Sequence, residues 1–507
     1  MNTEALAIKY ECARLSVPLD YKNPNNGLRA IIPIIKAPAD PNVPYKGSVI
    51  TNPGGPGALG TEFIYNVDIA THIASHIVGP GWDIIGFDPR GIGYSIPYGS
   101  CELVPGTFEP DRQNATTTPP NTRTRRNKRR SSSSNIVSND EVVYGVLIPD
   151  DPPSWKPTAY ATADFGSSAC VNYTGAYNQA GQHMNTVVVA TDLLQIAKAL
   201  AREKSQCEDT VLVNYFAISY GTVIGQYFAT LYPNHVGRFY LDGVVDVPSL
   251  VAQDTPETVL KHTDKAWSQF FTACANAGPT RCSFYTGRNS HAIRSRFNAL
   301  TLKLNATRYE LAEDPRAAIV TPILAALKQV MLTSLYVTWQ RWPLVSDFLV
   351  AVEPLLASND PADWDVDALM SLYAQYVAAK DPPAGPVGEV PESYPQVVCT
   401  DAVDVRGVEV TPEEEQLFKQ VSRIGGYNAV GLKLLCTAWQ IRPSWEWYGP
   451  VGGKTKTPIL FGTTMLDPVT PYENAEKARK LFKGAKMIYV DEVAVSIDPG
   501  GLERVPC

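Results

Sequence analysis

Short β-branched runs alternate with longer amphipathic runs over the first half of the chain. Segment 82–87 (WDIIGF), for example, is apolar and is stopped by the turn residues that follow it, as a buried strand is. Segment 186–204 instead places its apolar residues at helical spacing. Strands that alternate with helices predict a mostly parallel sheet covered on both faces, so the fold class is α/β. The strand patterns are 28–36, 48–51, 82–87, 211–218 and 238–245, and the helix patterns are 186–204 and 221–232.

From about residue 250 the pattern becomes helical. Helical stretches follow one another without a strand pattern between them, and they cover 256–277, 290–304, 320–336, 342–357 and 364–379. A linker rich in Pro and Gly, 381–396, closes this block, and strand patterns return at 457–463 and 486–490. We therefore expect a sheet domain with a helical insertion: residues 1–247 form the first part of the core, 248–395 a helical cap, and 396–507 the rest of the core.

One stretch fits neither part. An insertion of low complexity covers about 107–157, and its segment 107–135 is polar and strongly basic at its centre. Such a run is either a nuclear-localisation or polyanion-binding patch or an unstructured surface insertion, and the acidic remainder of the chain favours the second. The net charge of −7 gives no support to nucleic-acid binding, and no apolar run is long enough to span a membrane. We expect no nucleic-acid or membrane partner.

The segment Ala217–Gly221 (AISYG) lies between a predicted strand and a predicted helix. That is the setting of a nucleophile elbow, in which a sharp turn lifts a serine hydroxyl above the edge of the sheet. The usual pattern is G-x-S-x-G, and Ala217 here replaces its first glycine, which adds one methyl group to a tight turn. The alternative is an ordinary buried serine, but the strand–turn–helix setting favours Ser219 as a nucleophile.

The loop 52–57 (NPGGPG) follows the strand pattern at 48–51. Glycines let backbone N–H groups approach a developing oxyanion, so we expect one donor from Gly54 or Gly55 and the second from the N–H of Tyr220. A competing interpretation exists, because 55–60 (GPGALG) matches the dinucleotide pattern G-x-G-x-x-G with Asp83 downstream. The stiff Pro56 and the position after a later strand favour the oxyanion loop. We expect neither a cofactor nor a metal ion.

A catalytic triad in this arrangement runs serine, acid, histidine along the chain, and Asp467 fits the middle position. It follows the strand pattern at 457–463 and precedes a helix start at Pro471. The alternative is a turn aspartate beside a proline. The histidine is missing: the base should follow the strand pattern at 486–490, where the chain reads DEVAVS, and all six histidines precede Asp467. Those histidines are residues 72, 76, 183, 235, 262 and 291.

Together these motifs resemble the tripeptidyl aminopeptidase and proline iminopeptidase branch of the α/β-hydrolase serine peptidases. The resemblance covers most of 9–105 and 160–490 and rests on motifs in the right order. They are CARLSVPLDY (12–21), NPGGPG (52–57), DPRGIGYS (88–95), SYGT (219–222), YPNHVGRFYLDGVVD (232–246), CTAW (436–439) and DPVTPYENA (467–475). It implies an α/β-hydrolase fold with a mostly parallel eight-stranded sheet and an inserted cap, and a peptide with a free N-terminus as substrate. Ser219, Asp467, Gly54, Gly55 and Tyr220 take the catalytic and oxyanion-hole roles.

The family's Gly-His loop after the last strand has no counterpart here, where the chain runs VAVSIDPGGLERVPC. The usual leader is also not visible, although the resemblance implies secretion. With the basic insertion, these departures suggest a faulty gene prediction, which we favour over true loss of activity. Three functions follow: a serine exopeptidase, an inactive peptide-binding homologue, and an esterase on the same fold. Nothing in the sequence indicates the oligomeric state.

The nine cysteines and three Asn-x-Ser/Thr sites, at Asn114, Asn172 and Asn305, give further support to secretion. Cys274 and Cys282 bracket a short Gly-Pro turn, a spacing that suits a small disulfide loop. The resemblance implies disulfides at several cysteines. We predict the pairs Cys274–Cys282, Cys399–Cys436 and Cys101–Cys170, and we expect Cys207 and Cys507 to be unpaired.

Overall fold

A computed structural model describes eight stretches of the chain. They are residues 8–101, 145–148, 167–253, 257–287, 289–310, 317–358, 363–380 and 393–495. Nearly all of the predicted insertion at 107–157, and Cys507, lie outside the described residues.

Eight strands of the described residues form one sheet. In chain order they are β1 (Glu11–Pro18), β2 (Arg29–Ala37), β3 (Gly47–Asn52), β4 (Trp82–Phe87), β5 (Val213–Ile218), β6 (Val236–Asp242), β7 (Leu460–Thr464) and β8 (Lys486–Val490). Their order across the sheet is β1-β2-β4-β3-β5-β6-β7-β8. β2 pairs antiparallel with β1 and β4, and the remaining neighbours are parallel. The carboxyl ends of β3, β5, β6 and β7 therefore meet at one edge.

Fifteen α-helices lie within the described ranges. Before the helical insertion they are α1 (Gly60–Tyr65), α2 (Val67–His72), α3 (Thr186–Glu203), α4 (Tyr220–Leu231) and α5 (Val247–Ala252). Next come α6 (Glu257–Leu260), α7 (Thr263–Ala277), α8 (Ser290–Glu310), α9 (Ala317–Ser334), α10 (Thr338–Leu355) and α11 (Val366–Lys380). The last four are α12 (Ser393–Asp401), α13 (Pro412–Val421), α14 (Gly426–Ala438) and α15 (Tyr472–Leu481).

The sheet and the helical insertion bury separate sets of apolar side chains. The main cluster joins the strands to α3 and α4, with Ile85, Val223 and Phe461 among its fully buried members. A second cluster joins α7 to α11 around Trp267 and Phe297. The predicted domain limits at 247 and 395 stay a prediction. The predicted linker 381–396 was wrong at its end, because α12 already begins at Ser393.

A buried ion pair holds the loop after β4 against α3. Arg90 donates from Nε and Nη2 to the two carboxylate oxygens of Asp192, at 2.6 and 2.8 Å, and Tyr21 donates to the same carboxylate at 2.6 Å. The guanidinium also reaches the carbonyls of Pro18 and Leu19. Burial alone would lower the pKa of Arg90, but the Asp192 carboxylate raises it, so the guanidinium stays charged and the pair fixes the sheet to its covering helix.

The three predicted disulfides are confirmed. Cys101–Cys170, Cys274–Cys282 and Cys399–Cys436 have Cα–Cα distances of 4.4, 5.4 and 5.0 Å, within the range that a disulfide requires. Cys207 is a free, exposed thiol, as predicted. Cys12, for which no prediction was made, is also free and exposed. Among the helices that the structure describes, none combines the length and apolar character needed to cross a bilayer.

Candidate active site

Ser219 stands at a sharp turn between β5 and α4. Its backbone has φ 55° and ψ −124°, outside the regions in which a residue with a side chain is comfortable. The turn is held from both sides: Ser219 N–H donates to the carbonyl of Asp242 at 2.9 Å, and the Ser219 carbonyl accepts from Thr222 N–H and Oγ1 at 2.8 and 2.7 Å. Ser219 is partly exposed and heads the first turn of α4. This is the geometry of a nucleophile elbow.

Gly221 explains how the elbow accepts Ala217 in place of the usual glycine. A Cβ built on Gly221 would lie 2.9 Å from the Ala217 Cβ and 2.8 Å from Asn52 Oδ1. Positions 217 and 221 therefore have room for one Cβ between them, and here that Cβ belongs to Ala217. Any side chain at Gly221 would force the turn apart.

The loop 52–57 packs directly on the elbow. Gly54 has φ 105°, and a Cβ there would lie 2.7 Å from the Ile218 carbonyl and 3.0 Å from the Ser219 Cβ. Only glycine lets the two segments approach so closely. The N–H of Gly54 donates to Asn52 Oδ1 at 3.0 Å, so of the two predicted loop donors Gly55 is the one left for an oxyanion. The first N–H groups of a helix lack intrahelical acceptors, and Tyr220 N–H is one of these.

The dinucleotide interpretation of 55–60 does not fit this geometry. Asp83 pairs with Ser48 near the amino ends of β3 and β4, whereas the glycine loop follows the carboxyl end of β3. The Asp83 carboxylate accepts from Ala39 N–H at 2.9 Å and from the Tyr45 hydroxyl at 3.0 Å. The acid and the glycines therefore lie at opposite edges of the sheet.

Asp467 lies in the turn between β7 and α15 and is fully buried. Its Oδ1 accepts the N–H groups of Val469 and Thr470 at 2.9 and 2.6 Å, and its Oδ2 accepts the Thr470 hydroxyl at 2.7 Å. Asp467 fits both interpretations made from the sequence. As a turn aspartate it accepts hydrogen bonds within its own turn, and as a candidate triad acid it lies at the sheet edge that carries Ser219. β6 alone separates β5 from β7, which puts the two strands about 10 Å apart.

The charge on Asp467 has no cationic partner among the described residues. Burial raises the pKa of its carboxyl well above the usual value, and the nearby Asp242 adds to this, against the hydrogen bonds from Thr470 and Val469. In a triad, the aspartate stabilises the imidazolium that forms across from it. Here that compensation is missing.

The segment after β8 takes the place in which a histidine is expected. Residues 491–495 cross the carboxyl end of β7. There Leu466 N–H donates to the Glu492 carbonyl at 3.2 Å, and Thr464 Oγ1 donates to the Ala494 carbonyl at 2.5 Å. The Val495 carbonyl accepts from Thr470 Oγ1 at 3.4 Å and lies against Gly243, at the end of β6. A backbone carbonyl therefore approaches Thr470, the hydrogen-bond partner of Asp467. Among the described residues, no imidazole does so.

The six histidines, all in the described residues, are placed elsewhere. His183 accepts or donates a hydrogen bond with Ser444 at 2.8 Å, and burial lowers its pKa to about 4. His235 bonds to the Val211 carbonyl, and His262 bonds to Glu473 at 3.0 Å. His72 and His76 stack on each other near α2, and His291 lies on α8. Within the described ranges, the hydrogen bonds of Asp467 come from Val469 and Thr470 alone.

Two tyrosines that the sequence did not single out lie near Asp467 and the glycine loop. Tyr336 lies between α9 and α10 and is 40% exposed. Desolvation by the surrounding residues, and to a lesser degree the nearby Asp467, raise the pKa of its phenol. Tyr394 is 38% exposed, and its enclosure and the neighbouring Tyr336 raise its pKa likewise. It follows Ser393, whose hydroxyl lies against Gly57 of the glycine loop. Neither tyrosine lies in a local motif, so their positions depend on the tertiary fold.

Two family models match the chain. Residues 47–278 match the α/β hydrolase fold, and residues 423–494 match the TAP-like protein model. The first range carries the glycine loop and the elbow, and the second carries Asp467. The chain has the α/β hydrolase fold and a TAP-like domain. This agrees with the strand order, the parallel pairing and the elbow described above.

Similar proteins include both peptidases and an esterase. The tripeptidyl aminopeptidase of Streptomyces coelicolor is 23% identical over 94% of this chain and 76% of its own length. The serine protease Hip1 of Mycobacterium bovis is 24% identical over 94% of this chain and 80% of its own length. Carboxylesterase B of Mycobacterium tuberculosis is 39% identical, but over only 18% of this chain and 16% of its own length. The roles of Ser219, Asp467, Gly54, Gly55 and Tyr220 stay predictions.

Proposed function

We propose that this α/β hydrolase has the site of a serine exopeptidase, which takes the N-terminal part of a peptide as its acyl group. The observation that carries the proposal is the strained Ser219 turn packed against the glycine loop. Backbone strain of this kind persists where function requires it. Two of the relatives similar over most of the chain are named a tripeptidyl aminopeptidase and a serine protease, which favours a peptide as the substrate.

The chemistry assigns each group one task. Ser219 Oγ attacks the scissile carbonyl carbon, and the N–H groups of Gly55 and Tyr220 stabilise the oxyanion that forms. A base must take the hydroxyl proton and pass it to the departing amine, and water then hydrolyses the acyl-enzyme. Asp467 is bonded to its own turn and cannot act as that base. Without an imidazole, a serine hydroxyl is a poor nucleophile at neutral pH.

We expect the 507-residue chain to be nearly inert toward tripeptidyl p-nitroanilides. Removing one triad member leaves a residual rate about 10³–10⁴-fold over water, from binding and the oxyanion hole. Replacing residues 491–507 with a C-terminus of the family type, which contains Gly-His, should restore turnover by several orders of magnitude. The measurement is kcat/KM for the two chains side by side.

Ser219→Ala in the restored chain is the control, and it should abolish the regained activity. Robust turnover by the unmodified chain that disappears in Ser219→Ala would show that another residue supplies the base. A restored chain that binds peptides but hydrolyses only p-nitrophenyl esters would support the esterase instead.

A peptide-binding protein without catalysis is the second candidate. It is favoured by one observation, that the carbonyls of Ala494 and Val495 fill the region beside Asp467. Calorimetry of the unmodified chain with a tripeptide and with its N-acetylated form tests both candidates. An exopeptidase-type cleft should prefer the free amine, because acetylation removes its charge and two of its three hydrogen-bond donors.

We also propose that the protein works in an oxidising compartment. Three disulfides support this, since disulfides persist in secreted proteins and are rare in the cytosol.

A further inference from the structure

Helix α12 contacts the glycine loop directly and the elbow through the start of α3, so it reaches both segments that supply the proposed oxyanion donors. At its first residue, the Ser393 hydroxyl lies against Gly57 of the glycine loop. At its last residue, Asp401 is bonded to the start of α3, and that contact continues to the elbow. Between them, Cys399 is tied to Cys436 of α14. One short helix thus spans the two sides of the site.

The contact from Asp401 to the elbow is a chain of three buried hydrogen bonds. Thr186 N–H donates to Asp401 Oδ1 at 2.7 Å, and Thr186 Oγ1 donates to Asp401 Oδ2 at 2.5 Å. The same Thr186 oxygen lies 2.6 Å from the hydroxyl of Tyr220. Asp401, Thr186 and Tyr220 are 3%, 0% and 4% exposed, so water does not compete for these bonds.

We propose that Asp401 is a positioning residue for the oxyanion hole, acting through Thr186 on Tyr220, and the inference rests on the proposed function. Tyr220 follows the nucleophile, and its backbone N–H is the predicted second donor. A side chain fixed at both ring and hydroxyl holds that N–H in place, whereas one fixed by packing alone does not. Preorganised donors stabilise an oxyanion because they need no reorientation when the charge forms.

The ionised state of Asp401 is the one that completes the chain of bonds. The carboxylate accepts the Thr186 hydroxyl proton, so the Thr186 oxygen accepts the proton of Tyr220. A protonated Asp401 would donate to Thr186, and the chain would then hold three protons for two oxygen–oxygen contacts, so the hydroxyl proton of either Thr186 or Tyr220 would have no acceptor within it. A buried donor without an acceptor is unfavourable, so the contact that holds Tyr220 would weaken.

Among the described residues, no positive charge acts closely on the Asp401 carboxylate. Burial raises the pKa of its carboxyl to about 7, against the hydrogen bonds from Thr186. Tyr220 and Tyr227 of α4 face it, and burial keeps the pKa of each phenol well above 10. On the far side of the turn, Arg442 donates to the carbonyls of Cys399 and Ala402 and to Glu446. The positioning should therefore weaken between pH 8 and pH 6.

The test uses the unmodified chain, whose cleft holds no histidine to titrate in the same range. A tripeptide boronic acid, which forms a tetrahedral anion on serine, is compared by calorimetry with the corresponding tripeptide. At pH 8, Thr186→Val and Tyr220→Phe should each weaken the boronate about 10-fold and leave the tripeptide unchanged, a smaller loss than removal of a whole donor. Thr186→Ser keeps the hydroxyl and should bind as the unmodified chain does. At pH 6 the difference between the unmodified chain and Thr186→Val should disappear.

Thr191→Val is a matched control. Thr191 is also buried on α3 and also bonds to a tyrosine, Tyr232 at 2.9 Å, but at the far end of α4. Its loss should not change the boronate affinity. An unchanged affinity in Thr186→Val, an equal loss in Thr191→Val, or the same loss at pH 6 and pH 8 would overturn the inference. So would a boronate that binds no better than the tripeptide. If the tripeptide itself does not bind, the proposed function fails instead.

Discussion

At the scale of single residues, the site combines groups that local sequence reveals with groups that it hides. Ser219 was found because strand, turn and helix follow one another within a few residues, and such short-range patterns predict an elbow. Thr186 and Asp401 were not found, because the two are 215 residues apart in sequence and neither belongs to a motif. A buried hydrogen bond across that separation exists only once the whole sheet is assembled.

The buried carboxyl of Asp467, which has no cationic partner among the described residues, should make the stability of the protein depend on pH. Its pKa is raised in the folded state above its unfolded value, so the folded state holds the proton more tightly. Stability is therefore greatest below the unfolded value and falls as the pH rises through the folded value. We expect Asp467→Asn to raise the free energy of unfolding at pH 8 by about 2 kcal/mol, because a buried unpaired charge is removed.

Thermal unfolding from pH 4 to pH 8 provides the measurement. The gain from Asp467→Asn should grow with pH, since asparagine does not titrate and still accepts the N–H groups of Val469 and Thr470. Asp467→Ala, which leaves both N–H groups without an acceptor, should destabilise the chain at every pH. A gain that shrinks as the pH rises would contradict this account.

At the scale of elements, sequence pattern identified most strands but missed α12. The strands pack one or both faces in the core and show as apolar runs, and helices α7 to α11 show their spacing. In α12, by contrast, nearly every residue is buried, so no polar face marks its period. It also follows a Pro- and Gly-rich stretch that indicates a linker. β1 was missed as well, because its polar residues give it no apolar run.

The disulfide that holds α12 should contribute more stability than the one inside the helical insertion. Cys399 and Cys436 are 37 residues apart, whereas Cys274 and Cys282 are 8 apart. Closing a longer loop removes more entropy from the unfolded chain. We expect Cys399→Ser with Cys436→Ser to cost about 3–4 kcal/mol in urea unfolding, and Cys274→Ser with Cys282→Ser to cost about 2 kcal/mol. Equal losses, or the reverse order, would contradict the loop-length argument.

At the scale of the whole molecule, the helical insertion and the sheet domain are joined by polar contacts near the site. Thr263 donates to the Pro468 carbonyl at 2.6 Å, next to Asp467, and Lys261 and His262 both reach Glu473. Asp264 accepts from Ser422 Oγ and from two backbone N–H groups that precede α14, at 2.7 to 3.2 Å. The start of α7 is therefore fastened to the later part of the chain.

Among these contacts, we expect the loss of those made by Asp264 to lower the free energy of unfolding most. Asp264→Ala leaves the N–H groups of Arg423 and Ile424 buried without an acceptor, and we expect a cost of about 3 kcal/mol. Asp264→Asn keeps one acceptor oxygen and should cost about half as much. Urea unfolding measures both, and limited proteolysis should cut the alanine variant faster between α7 and α11. Equal stability of the two variants would show that the carboxylate is not the fastening group.

The order of strands in the sheet also bears on how the chain folds during synthesis. β6 and β7 are neighbours, yet the entire helical insertion separates them along the chain. When β6 leaves the ribosome, its unpaired edge faces solvent until β7 has been made and has found it, and such edges pair readily with other chains. The helices in between are rich in local contacts and can form early. The helical insertion is thus also the source of a delay, during which six of the eight strands must be kept from aggregating.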